Sequence, residues 1–293
     1  MRRVRVQDTV FRSALYLGGI AVSVVLIAIF FSLLLASRPA LVANGFRFLT
    51  GSEWDPVTRS FHALPFVLGT LLTSAIALVI STILSVALSI LMGEYFRTGP
   101  LAYLARTAVE ILAAIPSVVY GFIGLFFLVP AMRVVQLAVG APPYGVGILT
   151  SSILLAFMIL PYSASIGREM ISLVPTDLKE AALSLGATSS ETVWRVTLPY
   201  ARSGMLGGVL LSLGRALGET MAVTMVIGNS NTLTLNILGP GNTMPSLIAN
   251  EFSEAAGDIY LASLIEIALL LLVITTLINV LGKLVVNRMT AAV

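Results

Sequence analysis

Residues 64–92 read LPFVLGTLLTSAIALVISTILSVALSILM, a run of 29 without a single Asp, Glu, Lys or Arg. An α-helix rises about 1.5 Å per residue, so about 20 apolar residues cross the roughly 30 Å of hydrocarbon in a bilayer. The run is long enough to span a membrane. Five further stretches share its character, at 13–36, 109–130, 146–167, 203–228 and 259–282, each bounded by charges or by Gly and Pro. The whole chain of 293 residues is 57% hydrophobic and 11% charged, whereas soluble domains carry about 25% charged residues. A water-soluble globular fold is excluded, and the expectation is an all-α polytopic membrane protein of six transmembrane helices.

Charge placement gives the expected orientation. With the N-terminus cytoplasmic, twelve basic residues fall inside (Arg2, Arg3, Arg5, Arg12, Arg97, Arg106, Arg168, Lys179, Arg195, Arg202, Lys283 and Arg288). Four fall outside (Arg38, Arg47, Arg59 and Arg133). That bias follows the positive-inside rule and predicts both termini on the cytoplasmic side. The apolar part of the first run, about 23 residues, exceeds the 7 to 15 of a cleavable signal, so it reads as helix one. The net charge of +3 is scattered around apolar runs, which points to topology and away from nucleic acid. With no cysteine and His62 the lone histidine, disulfides, thiolate metal sites, iron–sulfur clusters and a histidine-rich zinc site are not expected.

The chain divides into residues 1–36, the N-terminus and helix one; 37–63, an outer loop; and 64–293, a core of helices two to six. Trp54 and Phe61 suit an interfacial helix or lid in the outer loop, although a plain solvated connector fits equally well. Inside the core, residues 168–202 form an inner loop of 35 residues, far longer than the usual connection between packed helices. Within it, Thr176 or Asp177 can cap a helix, Gly186 suits its left-handed stop, and Pro199 is expected to end a second helix before span five. Glu180, Ala181 and Ala182 give the first of these helices a flat face suited to close docking.

The spacing in that loop carries a resemblance. After Glu180-Ala181-Ala182 comes Gly186, then nine residues, the β-branched Val196, one residue, and Leu198-Pro199. This resembles the EAA loop of ABC-importer permeases, with Val196 where isoleucine is commonest. The resemblance implies a coupling helix that docks on a cytoplasmic ATPase, using Glu180, Ala181, Ala182, Gly186, Leu198 and Pro199. Gly51-Ser-Glu-Trp-Asp-Pro-Val57, Ile115-Pro-Ser-Val-Val-Tyr-Gly121 and Gly214-Arg-Ala-Leu-Gly-Glu-Thr-Met-Ala-Val223 are similar to PstC-type permeases of bacterial phosphate importers. That family implies inorganic phosphate as cargo and three protein partners: a sister permease PstA, a PstB ATPase dimer and an external phosphate-binding PstS. It also implies no cofactor bound by this chain, ATP and Mg being used by the ATPase; the chain has no G-x-x-x-x-G-K-[ST] phosphate loop.

Residues 203–228 carry the candidate substrate contact. Arg215, 11 residues after Gly204, falls about 16 Å into the fifth span, near the midplane, where arginine costs about 2.5 to 3.5 kcal/mol on insertion scales. Gly208, Ser212, Arg215, Gly218, Glu219 and Ala222 share one helical stripe, and Arg215 and Glu219 are one turn apart and able to pair. The alternative is that such a pair only locks spans five and four together. A guanidinium offers a planar fork of donors that matches two oxygens of a tetrahedral oxyanion, so Arg215 is the expected anion contact, with Glu219 holding the fork at rest. Ser117 and Tyr120, after the helix-kinking Pro116, are weaker candidates for lining the path. Glu110 is expected to pair with Arg106, and Glu266 reads as a path residue or an interhelical hydrogen-bonding group. The glycines at 204, 208, 214 and 218 give two G-x-x-x-G spacings for close helix contact.

The reading is a permease subunit, not an enzyme, in a multi-pass bacterial plasma (inner) membrane in contact with lipid. A permease for sulfate or molybdate, or an ATP-independent channel or carrier, remain the alternatives. An intramembrane protease is disfavoured because H-E-x-x-H and a serine–histidine arrangement are absent.

Overall fold

The computed structural model describes residues 2–290, with side chains from Phe11 to Arg288. The side chains of Arg2, Arg3 and Arg5, and the ends of the 1–36 and 64–293 units, lie outside the described residues. Thirteen α-helices and one small hairpin follow in chain order among the described residues. They are α1 (Arg2–Asn44), α2 (Arg47–Thr50), the strands β1 (Trp54–Asp55) and β2 (Ser60–Phe61), and α3 (Leu64–Ile90). Then come α4 (Pro100–Ala114), α5 (Ser117–Ile123), α6 (Val129–Ala138), α7 (Ile148–Ser172), α8 (Thr176–Ser184) and α9 (Ser189–Thr192). The chain ends with α10 (Leu198–Gly218), α11 (Met221–Ile227), α12 (Met244–Glu251) and α13 (Asp258–Thr290). Wider π-helical turns at Leu91–Tyr95, Gly124–Leu128 and Val193–Thr197 extend α3, join α5 to α6 and join α9 to α10.

Five of these helical stretches are long and apolar enough to cross a membrane, and a bent pair supplies a sixth. The all-α, six-span expectation holds, but two spans are not the uniform rods of the sequence reading. The third runs over Ser117–Ala138 instead of 109–130. A residue before proline is pushed out of the α region, and Ile115 is extended (ψ 126°), which separates α4 from α5. Tyr120 Oη bridges the break by donating to the Leu112 carbonyl at 2.8 Å, satisfying one acceptor freed there. The fifth span breaks after Gly218, where Glu219 is extended (ψ 124°), and its two parts are bent by 61°.

The centre of the bundle is α7, with α3 on one side and α10 on the other. The face α3 turns inward carries Thr70, Thr73, Ser74, Ala77, Ser81, Ser85 and Ser89, all buried, while Val79 and Ile83 point outward at 60% and 66% exposure. Large apolar residues gain nothing by leaving lipid for protein, whereas small ones let helix backbones approach. Ser89 Oγ accordingly donates to the Ala164 carbonyl of α7 at 3.1 Å. Gly204 and Gly208 close against Met170 and Ile166 of α7, and Gly214 against Asn279 of α13, so most of the G-x-x-x-G pattern is contact. Gly218 has open space where a Cβ would sit and makes no such contact.

The outer segment corrects the sequence reading most. Helix α1 continues to Asn44 through Pro39, eight residues past the expected end at 36, and packs on α13. Trp54 and Phe61 form neither a lid nor an interfacial helix. They pair across the hairpin and are 7% and 1% exposed, in a core with Phe48, Phe66, Met244, Leu247, Leu264 and Ile267. The Trp54 ring meets Phe61 and Phe66 edge-on at centroid distances of 5.0 and 5.2 Å, each such pair contributing about 0.5–1.5 kcal/mol beyond burial.

Candidate functional site

Arg215 lies on the last turn of α10, just before the break, and its side chain is exposed in the single chain. Its guanidinium stacks 4.7 Å above the ring of Tyr162, which follows Pro161 in α7. Stacking occupies a face of the fork and leaves its in-plane N–H donors free. No hydrogen bond or ion pair is formed by those donors among the described residues. Tyr120, buried at the start of the third span, packs with Leu154 and Met158 of α7 and with Ala222 and Val226 of α11. Arg215 and Tyr162 are thus brought together from α10 and α7, while Tyr120 of α5 packs on α7 and on the far side of the break. Ser117, on the first turn of α5, is half-buried.

Glu219 does not hold the fork. The ion pairs of the described residues are those of Glu94 with Arg97 and Lys179, and the expected Arg215–Glu219 pairing fails because the helix ends between them. The stripe drawn through Gly208, Ser212, Arg215, Glu219 and Ala222 assumed 100° per residue through the break. Glu219 instead lines a narrow niche with Thr70, Thr73, Ser74 and Thr243, its Oε1 receiving a long 3.5 Å contact from Ala222 N–H. Tyr162 was missed because a tyrosine in an apolar run is ordinarily packing; the adjacent Pro161 was the available signal. Arg106 does not pair with Glu110 either: its Nη2 donates to the Arg97 carbonyl at 2.8 Å, and Glu110 is exposed. Glu266 is buried with Oε2 unpartnered, near Asn44 of α1.

At the far end of α7 the inner loop is an ordered helical elbow. Gly186 has φ +89°, the left-handed conformation expected of it, and Thr188 and Glu191 form a reciprocal capping box that starts α9. Two local expectations fail. Pro175 precedes α8 and neither Thr176 nor Asp177 caps it, and Pro199 ends nothing. Pro199 follows directly on the π-helical turn, which accommodates it, and the helix from Ser189 runs through that turn to Gly218. The elbow leaves much unburied. Glu180 and Ala181 are exposed, as are Leu178, Leu183, Trp194 and, at 90%, Leu185. Ala182 is partly covered. Leu198 and Pro199 lie at the root of span five.

A bundle of apolar helices, broken at two places around an arginine with free donors and carrying an uncovered helical elbow, defines a multi-pass membrane permease. The chain belongs to the family of binding-protein-dependent transport system inner membrane components, whose model matches residues 85–291. It is 42% identical to the phosphate transport system permease protein PstC of Mesorhizobium japonicum, covering 99% of this chain and 93% of that protein. The protein of the same name from Haemophilus influenzae is 39% identical over 96% of this chain and 94% of its own length. Among solved structures, an inward-facing conformation of the MetNI methionine ABC transporter shares the fold. Its TM-score is 0.59 at 19% identity, over 81% of this chain and 99% of that one.

Proposed function

We propose that this chain is the permease subunit of an ATP-driven importer of inorganic phosphate, and that Arg215 contacts the anion during passage. The observation that carries the site is the unpaired guanidinium stacked on Tyr162 beside a broken fifth span. The relatives named PstC supply the choice of phosphate over sulfate or molybdate. Exposure of Arg215 in one chain fits a path completed by a second subunit, a sister permease of PstA type. Tyr162 holds the fork by its face, so an oxyanion can approach in the plane of the donors without first breaking an ion pair. Tyr120 and Ser117 border the same region, and Glu219 acts on the break instead of on the fork.

The elbow with Glu180, Ala181, Ala182 and Gly186 is the docking element for an ATPase dimer of PstB type, which binds the ATP and Mg; this chain holds no cofactor. An external phosphate-binding protein of PstS type delivers the cargo at the opposite end, and both termini face the cytoplasm, following the basic residues.

The test is Arg215→Lys. Lysine keeps the charge but replaces a planar fork by a compact, strongly hydrated ammonium. Losing one charge-assisted bond of about 1.5–3 kcal/mol lowers labelled phosphate uptake by one to two orders of magnitude at equal amounts of assembled importer. Uptake at the unmodified rate by normally assembled Arg215→Lys removes the path role. Competition by sulfate and molybdate decides the cargo.

A further inference from the structure

Helix α8 projects its length outward, and among its nine residues Lys179 alone is buried. A lysine is seldom buried unless paired, and here Nζ donates to Glu94 Oε2 at 2.6 Å, with side chains 8% and 18% exposed. Glu94 lies 85 residues earlier, in the π-helical turn that ends the second span. That turn is wedged on the bundle: a Cβ on Gly93 would fall 2.8 Å from Ile171 Cγ2 and 3.2 Å from the Arg168 carbonyl of α7.

The polar chain continues past Glu94. Its Oε1 pairs with Arg97 Nη2 at 3.0 Å, and Arg97 Nε donates to the Gly93 carbonyl at 3.0 Å. Arg106 of α4 then donates through Nη2 to the Arg97 carbonyl, while its buried Nε finds no acceptor. Helix α4 runs from there to the Pro116 break, across which Tyr120 Oη holds the Leu112 carbonyl. A run of bonded groups therefore leads from the elbow through α4 to the break at Pro116. Apolar packing between α8 and α3 would let the two slide, whereas a short ion pair fixes one geometry.

We propose that Lys179, Glu94 and Arg97 form the joint that carries displacement of α8 into the second span and α4, so that Lys179 and Glu94 are positioning residues of the transport cycle. The proposal rests on α8 being the ATPase-docking helix. Coupling between distant sites can be carried by packed side chains and salt-bridge networks of this kind.

The experiment uses the complete importer in membranes, with three readouts: recovery of the ATPase with this chain, ATP hydrolysis, and labelled phosphate taken up per ATP. Glu94→Gln strands a buried ammonium and lowers the amount of assembled chain. Lys179→Met with Glu94→Gln removes both charges and restores assembly, since an apolar replacement of a buried pair is often neutral. The expected result for this double variant is normal ATPase recovery with continued hydrolysis, and phosphate per ATP reduced about tenfold. Lys179→Arg, which keeps the pair, retains coupling. An assembled double variant with unmodified phosphate per ATP overturns the proposal. So does failure of the double variant to assemble, which would assign the pair to packing. If the unmodified chain itself recovers no ATPase, the docking reading fails, and the joint with it.

Discussion

The two ends of this molecule solve the same problem of irregular backbone beside a membrane in opposite ways. At the end that the basic residues assign to the outside, the hairpin, α12 and the start of α13 close around one carboxylate. Glu251 Oε2 accepts from Trp54 Nε1 and Tyr260 Oη, both at 2.7 Å, and Oε1 from Asn231 Nδ2 at 2.9 Å. Asn231 in turn accepts from Asn242 at 2.8 Å, and Gln136 joins the Gly145 N–H to the Leu238 carbonyl. This polar network closes within one chain. At the inner end, Lys179 anchors α8, Thr192 and Val193 anchor α9 and the turn after it, and Leu183, Leu185 and Trp194 are exposed. The difference lies in what holds each region. A network of polar bonds around Glu251 orders one end internally, whereas the elbow is tied down at few points and groups its uncovered apolar side chains on one short element suited to another surface.

Breaking the outer end should have the largest effect on the chain itself. Glu251→Leu leaves the Trp54, Tyr260 and Asn231 donors without their acceptor; at about 1.5–3 kcal/mol for each bond to a charged group, a loss of several kcal/mol is expected. Thermal unfolding of the purified chain should show a marked drop, with Glu251→Gln, which keeps one acceptor oxygen, falling between. An unchanged midpoint for Glu251→Leu would show that this network is ornamental to stability.

At the inner end the expected loss is of association and not of fold. Gly186→Val forces a β-branched residue to φ +89°, a local strain of about 1–3 kcal/mol, in a turn with open space around it. The chain should still insert and unfold near its usual temperature, while ATPase recovery or the phosphate moved per ATP declines. Normal assembly with normal coupled uptake would contradict the docking assignment.

The smallest perturbation sharpens the comparison by asking on which side each end lies. In this cysteine-free chain, Ser190→Cys and Leu235→Cys are both exposed sites, the latter at 74%. They should leave transport near normal and label with an impermeant thiol reagent from opposite faces. Asn242, 4% exposed and hydrogen-bonded to Asn231, is unsuited to such labelling despite lying in the same outer loop. Labelling of both cysteines from outside would refute the six-span arrangement.

The sequence determined by itself that this is a six-span helical membrane protein, because bilayer thickness fixes how many uncharged residues must run together and 64–92 has no other use in water. Gly186 was legible for a similar reason, a left-handed turn being a local demand that one residue type meets cheaply. Pro116 was half-legible: proline announces a disturbed helix but not whether the helix bends or stops. Only the tertiary structure decided that Arg215 would face Tyr162 and part from Glu219, since Gly218 permits a helix to end but does not say that this one ends there instead of running on. It alone decided, too, that Trp54 would be buried on Glu251, 197 residues away, and Lys179 on Glu94, 85 residues away. A polar group sequestered from water takes whichever partner the fold brings within about 3 Å, and no local pattern records which that will be.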